Sequence, residues 1–133
     1  LGLQSQWNMV VVGVGNIGSA LLGYAGFAKE DYQILAAFDV SPALIGTEIH
    51  GVMVYAYSHL LAFLKAHKVP IAIVCTQKEA DQQVSDVLVE GGVLGIWNYA
   101  PIDVKSDKAF VENVHLTDNL HVLSYRLHNQ NLK

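Results

Sequence analysis

Arginine is almost missing from this chain of 133 residues: Arg126 stands alone, and 8 Lys+Arg face 12 Asp+Glu for a net charge of −4. No basic stripe able to neutralise a row of phosphates can be built from that supply, so these residues by themselves do not grip nucleic acid. Cysteine is equally scarce. A single Cys75 excludes an internal disulfide, and the six histidines, at 50, 59, 67, 115, 121 and 128, lack the spacing of a zinc site. No metal is expected, and a reducing, cytoplasmic setting fits. Charge is thin as well, 15% against 52% hydrophobic residues, which rules out a disordered chain and suits one ordinary domain over residues 1–133.

Residues 1–28 carry no charged side chain, yet they do not read as a membrane span. Gly13, Gly15, Gly18, Gly23 and Gly26 interrupt the stretch, Asn16 sits at its middle, and no Lys or Arg precedes it. A buried strand, a glycine turn and a buried helix account for it instead. Residues 9–12 form a short β-branched apolar run, as a strand covered on both faces should. After the turn, Ile17, Leu21, Leu22 and Ala25 recur at helical spacing, predicting a helix over 16–24.

The rest of the chain alternates in the same way. Strands are predicted at 33–38, 51–55, 69–75, 93–97 and 109–114, with helices over 60–67, where Ser58 is the expected N-cap, and over 78–90, where Ala80, Val84, Val87 and Leu88 face inward. Residues 98–101 leave the sheet as a loop. The final segment carries Leu116, Leu120, Leu123 and Leu127 at steps of 4, 3 and 4, the stripe of a helix over 117–130. The expected architecture is α/β: a doubly wound, mostly parallel sheet of the Rossmann type with a protruding C-terminal helix.

Gly13-x-Gly15-x-x-Gly18 is weak evidence as a bare spacing, but here it ends a strand and opens a helix. In that setting the glycines serve a tight turn, a close backbone approach to a pyrophosphate and close helix packing, with Asn16 and Ile17 at the helix start beside the phosphates. Asp39 ends the second strand, where the dinucleotide fold places the acid for the ribose hydroxyls, and a carboxylate there favours NAD(H) over NADP(H). A coenzyme A-binding domain is an alternative, although the 3′-phosphate of coenzyme A would meet that carboxylate. A second alternative is the cofactor domain of an NAD-dependent dehydrogenase. The chain, however, supplies no convergent acid/base set, so no catalytic residue is assigned. Cys75 reads as a packed core thiol.

These residues resemble the nicotinamide-binding domain of the Rex family, redox-sensing transcriptional repressors. The resemblance rests on VGVGNIGSALL at 12–22, YAGF at 24–27, AFD at 37–39, IGT at 45–47, GVMVY at 51–55, GIWNYAP at 95–101 and a VxLTxxL pattern from Val114 to Leu120. It implies a regulatory binding module in which NADH releases the repressor from operator DNA and NAD+ competes weakly. DNA would be held by an N-terminal winged-helix domain that is not among these residues. It also implies a homodimer whose C-terminal helix, with Leu116, Leu120, Leu123 and Leu127, crosses to the partner. Position by position, Gly13, Gly15 and Gly18 would hold the pyrophosphate and Asp39 the ribose. Thr76, Asn98, Tyr99 and Pro101 would line the nicotinamide end, and Tyr24 would respond to its redox state. One departure stands out. The family has an aspartate in its switch where this chain has His115, which cannot supply the same fixed negative charge.

Overall fold

A β-branched run needs covering on both faces, and the chain supplies that cover by alternating strand and helix. The computed structural model describes residues 6–76, 81–100, 103–115 and 117–131. Its strands are β1 (Trp7–Val12), β2 (Tyr32–Asp39), β3 (Glu48–Ile49), β4 (Val52–Ala56), β5 (Ile71–Val74), β6 (Gly95–Asn98) and β7 (Phe110–Asn113). Its helices are α1 (Asn16–Leu22), α2 (Gly26–Lys29), α3 (Leu60–Ala66), α4 (Asp81–Glu90) and α5 (Asp118–Asn131). The strands form one sheet in the order β3-β4-β2-β1-β5-β6-β7. All neighbours are parallel except the two-residue β3, which runs antiparallel to β4 at the edge. The fold is the doubly wound α/β sheet expected, with its order reversing at β1.

Two apolar layers sandwich the sheet. On the front, Val14, Leu22 and Phe27 pack on Met9, Val11, Ala37 and Ile73. On the back, Leu60 and Leu64 of α3 and Val84 and Leu88 of α4 pack on Val10, Val12, Phe38 and Val74. The β1–β2 pairing shifts register between Met9 and Val10: Met9 faces Ile34 while Val10 faces Ala36. Leu35 is the extra residue of a bulge.

Several expectations are corrected. The first helix stops at Leu22 because Gly23 caps it, and Phe27 then sits in a separate single-turn helix. Ser58 is not an N-cap; it lies in a 3₁₀ turn, Tyr57–His59, and His59 takes the cap position without a side-chain bond. The strand predicted over 69–75 is shorter, since Pro70 has no N–H and its carbonyl accepts the N–H groups of Leu94 and Gly95 from outside the ladder. Asn98 belongs to β6 rather than to the loop. The edge strand β3 has no counterpart in the predicted pattern, being only two residues long. Of the inward residues expected on α4, Val84 and Leu88 are buried and Val87 is partly so, while Ala80 lies outside the described residues.

The front face of the sheet opens beside Phe27 of α2. The opening is a groove of about 370 Å³ lined by Met9, Phe27, Ile71, Trp97 and, at its polar end, Glu112. The apolar stripe of α5 is uncovered: Leu120, Leu123 and Leu127 are 60%, 51% and 54% exposed. Leu116 lies outside the described residues. Among those residues no helix is long and apolar enough to cross a membrane.

Candidate nucleotide site

The glycine turn meets the sheet where the order reverses. Gly13 has φ of +96°, and a Cβ built on it would lie 2.7 Å from the carbonyl carbon and oxygen of Cys75 and 2.8 Å from the nitrogen of Thr76. Only glycine suits that backbone and that contact. The turn is fastened to both neighbouring strands, because Gly13 donates its N–H to the Phe38 carbonyl (2.8 Å) and the Val12 carbonyl accepts the Cys75 N–H (2.7 Å). Gly18 packs α1 on the turn, its virtual Cβ falling 2.1 Å from the Gly13 oxygen. Gly15 differs from both. Nothing lies within 4 Å of the space its Cβ would fill, and it stands exposed with Asn16 and Ile17. The three glycines thus divide the work: two close the backbone and one keeps an approach open.

Asp39 ends β2 with one carboxylate oxygen accepting the Val14 N–H at 2.6 Å and the other accepting the Ser41 N–H at 2.9 Å. It caps no helix; it ties the end of β2 to the glycine turn. Each oxygen keeps a further lone pair for a hydroxyl. Beside it Val40 is 76% exposed, an apolar face next to the acid that sequence reasoning missed. The signal was there: a hydrophobic residue directly after the last residue of a buried strand.

Thr76 follows β5 at the contact with Gly13. Tyr99 follows β6, donates its N–H to the Val74 carbonyl at 2.7 Å, and sets its ring edge-on to Trp97 at 5.0 Å. Burial pushes the Cys75 thiol up to about 12. Burial also raises the Tyr99 phenol, with the charge of Cys75 adding to it. Both groups are therefore neutral at pH 7, and no fixed anion arises from either. Gly13, Gly15, Gly18, Asp39, Thr76 and Tyr99 all lie at the carboxyl ends of the strands. Pro101 lies outside the described residues.

Asn98, expected at the nicotinamide end, is held by side-chain bonds. It is fully buried, donating from its amide nitrogen to the Asn113 Oδ1 (2.9 Å) and accepting the Ala100 N–H on its oxygen (3.1 Å). Those bonds make it a brace for the loop after β6. Its partner Asn113 also spans residue 104, accepting the Val104 N–H and donating to the Val104 carbonyl.

The two switch candidates follow α1 and β7. Tyr24 follows the far end of α1, 59% exposed, with its ring edge-on to Phe27 at 4.9 Å. His115 follows β7 and pairs through Nε2 with the Asp103 carboxylate at 2.6 Å, both side chains about half exposed. Among the described residues no group of three or more His, Cys, Asp or Glu could hold a metal ion.

A family model described as CoA binding domain matches residues 4–102. The redox-sensing transcriptional repressor Rex of Clostridium botulinum (strain Alaska E43 / Type E3) is 45% identical over 131 residues, covering 98% of this chain and 62% of the relative. Two solved structures of RSP, a Rex-family repressor, superpose closely at 38% identity. One is a complex with beta-NADH (TM-score 0.91, 98% of this chain and 64% of that one). The other is a complex with beta-NAD+ and operator DNA (TM-score 0.90, 98% and 61%). The chain thus spans a little under two thirds of the length of these relatives.

Proposed function

The chain belongs to the family of CoA binding domains, and on that premise, with its likeness to Rex repressors, we propose that it is an NAD(H)-binding module that reports the NADH/NAD+ ratio to a transcriptional repressor. The observation that carries this reading is the junction of Gly15 and Asp39. An open backbone approach for a pyrophosphate lies next to a carboxylate that is fixed to the same turn through Val14 and retains acceptor capacity for a ribose diol. Val40 offers an apolar face for the adenine beside it.

Discrimination between the redox states follows from charge. The nicotinamide of NAD+ is a cation and that of NADH is neutral. The far end of the cleft presents the Tyr99 and Trp97 rings and a thiol held neutral by burial. A cation stripped of water there without a fixed anion is penalised, so NADH binds more tightly. That differential affinity is the whole of the signal, since a ligand shifts a conformational equilibrium only by the amount its affinities differ. Thr76 serves the nicotinamide end, and Tyr24 and His115 belong to the switch. Coenzyme A, despite the family's description, would set its 3′-phosphate against Asp39.

The open groove beside Phe27 and the uncovered stripe of α5 are complementary in character, and their mutual burial between two copies would form a homodimer. Operator DNA would be contacted by a winged-helix domain beyond these residues, because the net charge of −4 leaves no phosphate-binding stripe here. The protein would act in the cytoplasm, as a regulator and not as an enzyme. A fluorescence titration with NADH, competed by NAD+ and by coenzyme A, with the solution mass measured alongside, tests this. The expected result is a dimer that binds NADH, with NAD+ a weak competitor and coenzyme A a weaker one. Equal affinities for NADH and NAD+ would remove the sensing reading while leaving dinucleotide binding intact.

A further inference from the structure

The Tyr24 ring rests in a place shaped by two neighbours. Gly26 makes room: a Cβ there would fall 2.4 Å from the tyrosine ring. Phe27 supplies the wall, edge-on at 4.9 Å and 83°. Phe27 is also the point at which two other aromatic contacts meet, and the second continues to a further ring. It is edge-on to Tyr32 at 6.4 Å and to Trp97 at 6.3 Å, and Trp97 is edge-on to Tyr99 at 5.0 Å. The rings thus run in unbroken contact from Tyr99, at the carboxyl ends of the strands, through Trp97 and Phe27 to Tyr24. Edge-to-face pairs have a preferred geometry that an aliphatic side chain of the same bulk does not reproduce.

Resting on the sensing reading above, we propose that Phe27 is the positioning residue for Tyr24, linking its ring through Trp97 to Tyr99 at the nicotinamide end. Phe27 touches no ligand in this scheme. It sets where the Tyr24 ring lies, and a shift of Tyr99 and Trp97 reaches Tyr24 only through it. Because Phe27 and Trp97 also line the open groove, a partner helix seated there would press on the same two rings.

The test measures NADH and NAD+ dissociation constants for the whole chain and five variants. Phe27→Met keeps the volume and removes the ring; it should lower the NADH preference several-fold while NAD+ affinity changes less than twofold. Phe27→Tyr, which keeps the ring, should retain the wild-type preference. In a Tyr24→Phe background Phe27→Met should change the preference no further, a non-additivity that mere loosening of the core would not produce. Gly26→Ala should reproduce the loss by displacing Tyr24 without touching the core, and so decides the matter if Phe27→Met does not fold. An unchanged preference in a folded Phe27→Met or in Gly26→Ala, or additive effects with Tyr24→Phe, overturns the positioning role alone. Equal NADH and NAD+ affinities in the wild type overturn the sensing reading and this role with it.

Discussion

Asp39 and Val14, separated by 25 positions, are joined by a 2.6 Å bond from the Val14 N–H to the Asp39 carboxylate. The residue expected to read the ribose is therefore also the residue that holds the glycine turn in place. Binding and local stability would then share one side chain.

Asp39→Ala should accordingly lower both. Two bonds to a charged acceptor are lost, which costs about 2–4 kcal/mol of stability, and NADH affinity should fall by roughly tenfold or more. Asp39→Asn keeps one oxygen and should fall between the two. Thermal unfolding and NADH titration of the same samples check this; a loss of affinity with unchanged stability would deny the tethering role.

The glycines should separate the two effects. Gly13→Ala meets a positive φ and a backbone contact at 2.7 Å, so a loss of about 2 kcal/mol or more is expected. Gly15→Ala enters open space at φ of −86° and should change stability by less than about 0.5 kcal/mol. It should nonetheless weaken NADH binding, because the methyl group occupies the phosphate approach. Paired melting and titration curves distinguish them.

Stability should decline on the alkaline side. The Cys75 thiol is raised in the folded state from 9.0 to about 12, so between these values the unfolded chain has released a proton that the folded one keeps. Unfolding is then increasingly favoured as pH rises through that window. Cys75→Ala should flatten the slope without abolishing it, since burial also raises Tyr57 and Tyr99. Urea midpoints measured from pH 8 to pH 10.5 provide the check. In the native protein at pH 8 the thiol should react slowly with a disulfide reagent, and quickly once unfolded.

The His115–Asp103 pair should matter little to the fold. Both groups are about half exposed, where ion pairs contribute roughly 0–1 kcal/mol. His115→Ala should leave the unfolding midpoint nearly unchanged. His115→Asp, which restores the acid of the resembled family, sets two carboxylates side by side and should lower stability slightly more than alanine does, an effect that added salt diminishes.

Much of this fold was legible because its signals are local and repeated. The apolar run at 10–12, the glycine spacing and the acid at the end of β2 each follow from what a buried parallel strand and a phosphate turn require. What escaped depends on contacts across the molecule. Asn98 looks like a loop polar group until Asn113, 15 residues away, takes its amide. The single turn at Gly26–Lys29 is too short to show a helical period. Phe27 reads as one more apolar residue, and only the meeting of rings from α2, β2 and β6 gives it a place beside Tyr24. Val40 was visible as a hydrophobic residue just past a buried strand, but that signal acquires meaning only beside a site.

The bulge at Leu35 has a consequence for handedness of a different kind, that of odd and even positions. Tyr32 and Ile34 face the front layer, and strict alternation from them would turn Ala37 and Asp39 to the back, toward α3. The extra residue reverses the count: Leu35 and Ala36 both join the back layer, and Ala37 returns to the front. Asp39, two residues on, thereby faces Val14. Deleting Leu35 would preserve the spelling of every motif in this chain and point its acid the wrong way.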